Sequence, residues 1–176
     1  MNRLIQCGIF LIASYATTAA AQRCGATCAN AEALLGLSEQ TLRASIPELQ
    51  RAPKPVQGPR NTRGKWVLQD FHFATQPYTV TYFIGAGQVT RIELLSNAPT
   101  DQCTQRIAFQ LALAELGKTY GESQVFGSFE DGGKSAQSVA FNSETVDVAL
   151  HFSRSTDACT TRVIYNIRQV KNASEL

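Results

Sequence analysis

The chain has only two histidines, His72 and His151, one tryptophan and one methionine in 176 residues. A three-histidine metal site is therefore excluded, and any histidine-dependent catalysis would have to use one of these two. Gly-x-Ser-x-Gly elbows, His-Glu-x-x-His pairs and phosphate-cradling loops ending in Lys-Ser/Thr are all absent, which removes the commonest motif routes to hydrolysis and phosphoryl transfer. Glu130-Asp131-Gly132-Gly133 sets acid beside glycine but lacks the alternating oxygen ligands of a calcium loop, so it reads as a turn. The fourteen acids allow paired carboxylates by type, yet no spacing sets two of them around a cleft. No cofactor is expected.

Charge of one sign is also lacking. Sixteen basic against fourteen acidic residues leave +2, too little to imply nucleic-acid coating or strong attraction to a membrane surface. Long apolar runs are missing as well. The longest, from Leu4 to Tyr15, covers twelve residues, whereas spanning a bilayer takes about 20. With Arg3 before it and Ala19-Ala20-Ala21 after it, that run reads as a signal peptide over residues 1–21, cleaved after Ala21. A periplasmic or secreted location follows, without the Leu-small-small-Cys pattern of a lipoprotein.

What is present is 44% hydrophobic residues, ample for a folded core. Beyond the signal, Cys24, Cys28, Cys103 and Cys159 form an even set that suits two disulfides in an oxidising compartment. Three pairings are possible, and Cys24–Cys28 with Cys103–Cys159 is the favoured one. The first pair encloses three residues rather than the two typical of redox motifs, which favours a staple over a catalyst.

One pattern occurs twice along the chain, so the expected fold class is α+β, with two tandem αβββ units of antiparallel meander packed on helices. Residues 22–98 make the first unit and 99–176 the second. In the first, a helix or helix pair lies between Leu34 and Leu49, broken at Gly36, capped by Ser38 and ended by Pro47. Residues 51–65 read as a loop, and strands follow at Trp66–Ala74, Tyr78–Ile84 and Val89–Leu95. In the second, a helix runs from a Thr100 or Asp101 cap to Gly117, with strands at 137–142, 145–153 and 159–168. Phe71, Phe73, Tyr78, Val80, Tyr82 and Ile84 fall opposite Val139, Phe141, Val146, Val148, Leu150 and Phe152 at a constant offset of 68, which suggests an internal duplication.

Period-two alternation sorts these strands onto two faces. Phe71, Phe73, Tyr78, Val80, Tyr82, Ile84, Ile92 and Leu94 in the first half, with Val146, Val148, Leu150, Phe152, Val163, Tyr165 and Ile167 in the second, are assigned to the helix-covered face. Trp66, Asp70, His72, Thr79, Thr81, Phe83, Arg91, Glu93, Asp147, His151, Arg162 and Asn166 are assigned to an uncovered face.

The two αβββ units, the Gly36-Leu37-Ser38-Glu39 break, the Gly64-Lys65-Trp66 start of a strand, and a Tyr-x-Val-x-Tyr strand closing at Gly87 before Val89-Thr90-Arg91-Ile92 resemble the β-lactamase-inhibitor-protein-like superfamily, with PepSY-type domains a comparable relative. The resemblance implies protein binding by an exposed sheet face and adjoining loops, without catalysis. The chain departs from the superfamily's lipoprotein branch in lacking an acylated cysteine, and its second half lacks the tryptophan.

The most distinctive local feature is the acid-free stretch holding Arg51, Lys54, Arg60, Arg63 and Lys65 with three prolines. It suits an acidic surface on an envelope or extracellular protein, or an anionic envelope polymer. Trp66, Phe83, His72, Arg91, His151 and Arg162 complete the expected binding surface, since exposed tryptophan and arginine anchor interfaces. A strand bulge that flips the register would instead make Trp66 core. The rival expectation is a small-ligand or hydrolytic cleft in which His72, His151, Asp70 and Asp147 converge.

Overall fold

The computed structural model describes residues 31–99, 106–156 and 158–168. The expected signal peptide, Cys24, Cys28, Cys103 and the Thr100 or Asp101 cap lie outside the described residues.

Two short helices open the described chain, α1 at Ala31–Leu34 and α2 at Glu39–Ser45. Ser38 caps α2, its Oγ accepting the Thr41 N–H at 3.0 Å, which satisfies one of the free donors of the first turn. Gly36 between them has φ 82°, a left-handed conformation that glycine adopts at little cost. Its N–H donates to the Val89 carbonyl at 2.8 Å, and the Val89 N–H donates to Leu37 at 2.9 Å. The helix pair is thereby tied to the start of a strand, and Leu34, Leu42 and Ile46 are buried beneath it. The third helix, α3 at Ile107–Tyr120, buries Phe109, Ala112 and Leu116 on one stripe.

Among the described residues, eight strands form a single sheet. They are β1 Gln50–Gln57, β2 Arg63–Phe73, β3 Gln76–Gly85, β4 Gln88–Pro99, β5 Gln124–Asp131, β6 Lys134–Asn142, β7 Val146–Arg154 and β8 Ala158–Ile167. Their order is β1-β2-β3-β4-β8-β7-β6-β5, and every neighbouring pair is antiparallel. Two-residue turns join β2 to β3 at Ala74-Thr75, β3 to β4 at Ala86-Gly87 and β5 to β6 at Gly132-Gly133. All six turn residues have positive φ, the geometry whose twist matches the strands it connects.

The class is therefore α+β, but each half has a helical segment followed by four strands, not three. The added strands are β1 and β5, the two edges; β1 falls in the stretch expected to be a loop, and β5 in a stretch to which no strand was assigned. β1 carries Pro53 and Pro55, which only an edge tolerates because one side needs no N–H donors. All eight residues of β5 are exposed, so no buried set imposes alternation on its sequence.

The core lies between the helices and one face of the sheet. Tyr78, Val80, Tyr82, Ile84, Ile92, Leu94, Val139, Phe141, Val146, Val148, Leu150, Phe152, Val163 and Tyr165 are buried there, and Phe71 and Phe73 pack partly buried against them. Ile167 departs from expectation: at the end of β8 it is exposed. Burial pushes the hydroxyl of Tyr78 up to about 12, and that of Tyr165 is pushed higher by burial and then by Tyr120 and Tyr78.

Candidate functional site

The helices leave the other sheet face uncovered, and the register decides which side chains meet there. One cross-strand row runs Phe83, Arg91, Asn166, Asp147. A second runs Glu93, Ile164, Ala149, Ala140, and a third Arg162, His151, Ser138. Glu93 sits between two guanidinium groups. Arg91 donates to its Oε2 at 2.9 Å and to Asn166 at 3.4 Å, while Arg162 reaches its Oε1 at 3.0 Å. His151 Nδ1 lies 2.8 Å from Ser138 Oγ, and Phe126 meets its ring edge-on at 5.7 Å. The imidazole is held below its ordinary pKa, first by burial and then by the positive charges of Arg162 and Arg91, against an opposing pull from Glu93. Arg91, His151 and Arg162 are thus brought together on the uncovered face.

Two expected anchors are not on offer. Phe83 does face the uncovered side but is 4% exposed, because the Pro59–Asn61 turn folds over it. A Cβ placed on Gly58 would stand 2.6 Å from the Phe83 ring, and one on Gly64 3.3 Å from it. Arg91 closes another side, 5.5 Å from the ring centre. Trp66 lies on the helix face. A register irregularity between Gly64 and Trp66 sets the indole opposite buried Tyr82, the bulge that turns this residue inward. Its Nε1–H donates to Glu39 Oε1 at 2.8 Å, Lys65 Nζ donates to Oε2 at 3.0 Å, and Arg43 stacks 4.7 Å from the ring centre. Burial pushes the Glu39 carboxyl up, but the hydrogen bonds from Trp66 and Lys65 with the charges of Lys65 and Arg43 outweigh it, so the group sits below its ordinary value. Trp66 and Lys65 therefore latch β2 to α2.

The basic stretch is an edge, not a loop. Arg51 and Lys54 are on β1, Arg60 is in the turn with φ 55°, and Arg63 opens β2. All four are exposed. Lys65 is paired with Glu39, and among the described residues none of the other four forms an ion pair. One backbone and one side-chain hydrogen bond hold the turn: the Gly58 N–H donates to the Thr62 carbonyl at 2.8 Å and the Thr62 hydroxyl to the Pro59 carbonyl at the same distance.

The four residues of the rival cleft do not converge. His72 is exposed at the end of β2, with Nδ1 3.2 Å from the backbone oxygen of Asp70. His151 lies four strand spacings away, roughly 19 Å. Asp147 is near Arg168 at 3.9 Å. Neither a cavity of about 10 Å³ under α1 nor an open hollow of about 170 Å³ beside β5, lined by Arg106, Ser128, Phe129, Glu130, Ala136 and Gln137, contains any of the four. Among the described residues no group of three or more His, Cys, Asp or Glu is placed to hold a metal, and no helix is long and apolar enough to cross a membrane.

Sequence reasoning passed over Phe126 and Phe129, both more than half exposed. The one available signal was a pair of aromatics in a stretch without alternation. It also passed over Glu39, whose role depends on a residue 27 positions away.

No protein-family model, curated protein or solved structure matches this chain.

Proposed function

We propose that the protein is an exported, non-catalytic binding protein that engages an acidic surface on an envelope or extracellular protein through the edge formed by β1, the Pro59–Asn61 turn and the start of β2. One observation carries this: Arg51, Lys54, Arg60 and Arg63 stand exposed and unpaired among the described residues on a backbone already stiffened by prolines and turn hydrogen bonds. A fixed array of cations loses little entropy on docking, and its field speeds encounter with an acidic partner. The residue 1–21 signal and the Cys103–Cys159 and Cys24–Cys28 staples belong to the same reading, as does kinship with the tandem αβββ inhibitor-like proteins. Two helix-then-meander halves supporting one sheet are in keeping with that kinship. The scatter of His72, His151, Asp70 and Asp147 weighs against the rival cleft.

The test is capture from envelope extract by wild type and by an Arg51→Ala, Lys54→Ala, Arg60→Ala, Arg63→Ala variant. The expected result is an acidic protein retained by wild type, released by salt and lost from the variant. Equal capture by both forms would sink the reading, and retention of an anionic polymer in place of protein would change the ligand class.

A further inference from the structure

We propose that β5 is a self-pairing edge, through which two copies of this chain join antiparallel about a two-fold axis into one continuous sheet. The inference is independent of the function proposed above, which uses the opposite edge.

An edge strand presents free backbone donors and acceptors, and proteins ordinarily blunt it with proline, charge or cover. β5 has none of these between Gln124 and Phe129: no proline, no charged residue, and exposure along its whole length. Instead it exposes Val125 at 64%, Phe126 at 59% and Phe129 at 53%, the most concentrated apolar exposure among the described residues. Across the sheet, β1 carries Pro53, Pro55, Arg51 and Lys54. With one edge open and the other blocked, pairing of open edges closes on itself as a dimer and cannot propagate as a filament.

The strand is also self-complementary. Phe126 reaches His151 on the uncovered face, and Phe129 sits opposite Ala136 on that same face, across a register irregularity between Val125 and Gly127. Because the irregularity puts Phe126 and Gly127 at one ladder position, placing Ser128 at the two-fold axis sets that pair of residues in each copy opposite Phe129 of the other, bringing the Phe126 and Phe129 rings together. Aromatic pairs across antiparallel strands are among the stabilising cross-strand contacts. The same register sets Glu130 of one copy beside Val125 of the other, so no like charges are opposed. Area fixes the strength. Four half-exposed rings and two strand edges withdraw on the order of 800 Å² in total, below the ~1,200–2,000 Å² of a stable interface, which makes the dimer weak and concentration-dependent.

The experiment is sedimentation of the purified protein from low micromolar to near-millimolar concentration, on wild type, Phe129→Lys and Phe126→Lys, with thermal melts confirming that each variant folds. Wild type is expected to shift from monomer to dimer with rising concentration, and each Lys variant to weaken the dimer at least about tenfold, as charge on an edge does. Ser128→Cys should form a disulfide-linked dimer under mild oxidation in excess of wild type, because its Cα meets its own copy across the axis within bridging distance. Val56→Cys on β1 should not. A monomer at every concentration overturns the proposal. So does a dimer that survives both Lys variants, one in which Val56→Cys cross-links and Ser128→Cys does not, or growth into filaments.

Discussion

The two edges of the sheet solve one problem in opposite ways. β1 is built against pairing: its prolines remove donors, its cations repel a second copy, and it runs into the rigid Pro59–Asn61 turn. Behind it, the neighbouring strand is latched to α2 by Glu39, which accepts from both Trp66 and Lys65. β5 has no guard over its first six residues and exposes two phenylalanines. The difference shows that an edge is not a leftover of the fold. One is spent on charge and the other on apolar surface, and the middle strands, identical in kind on both sides, carry the stability.

Four substitutions sharpen or break that comparison. The largest effect is expected at Trp66. Trp66→Ala removes a half-buried indole, its bond to Glu39 and its stack on Arg43, and should cost about 2–3 kcal/mol, less than full burial would imply. Denaturant melts give the number, and a loss below about 0.5 kcal/mol would mean the latch is idle. Next comes Gly58→Val, which drives a side chain into Thr62 and Phe83. Overpacking of this kind costs roughly 1–3 kcal/mol, and protease cleavage near the turn should rise as the turn lifts off Phe83.

His151→Gln acts on pH dependence. The folded imidazole titrates below its ordinary value of 6.5, so below that pH the unfolded chain binds protons that the folded one resists, and stability falls as pH drops through the folded value. The Gln variant should lose that part of the slope between neutral pH and pH 5, and an unchanged slope in paired thermal melts would rule out the histidine as its source. The smallest effect is expected at Phe129→Ala, within about 0.5 kcal/mol for the monomer because the ring is exposed. If it matched Trp66→Ala in dilute melts, the contrast between a fastened edge and a bare one would collapse.

Much of the interior could be read in advance. Tyr78, Val80, Tyr82 and Ile84, and likewise Val146, Val148, Leu150 and Phe152, recur at every second position, mostly between polar residues, and all eight are buried, because a half-buried strand writes its face into its sequence. The tight turns were legible for a similar reason: Gly87 and the Gly132-Gly133 pair stand where positive φ is required. The edges were not legible. Pro53 and Pro55 mimic a loop, and β5 has nothing buried to set a period. Of the residues assigned to the uncovered face, Arg91, His151 and Arg162 lie there because they follow the alternation of their strands. Trp66 was misplaced because β2 has register irregularities between Gly64 and Trp66 and again between Leu68 and Phe71, which put Trp66 and Leu68 on the same face as Phe71 and Phe73 against simple alternation. Phe83 stands on the expected face but is buried there, because its cover comes from the Pro59–Asn61 turn, distant in the chain.

Composition and alternation by themselves settled that this is a helix-and-antiparallel-sheet protein, which residues form its core, and where its positive charge concentrates, since each of these follows from a side chain's preference for water or apolar surroundings at local spacing. Only the tertiary structure decided that the two meanders join through β4 and β8 into one sheet, that the basic stretch is a guarded edge, and that Trp66 faces a helix. Those outcomes depend on register and on contacts between residues distant in the chain, which local preference does not encode.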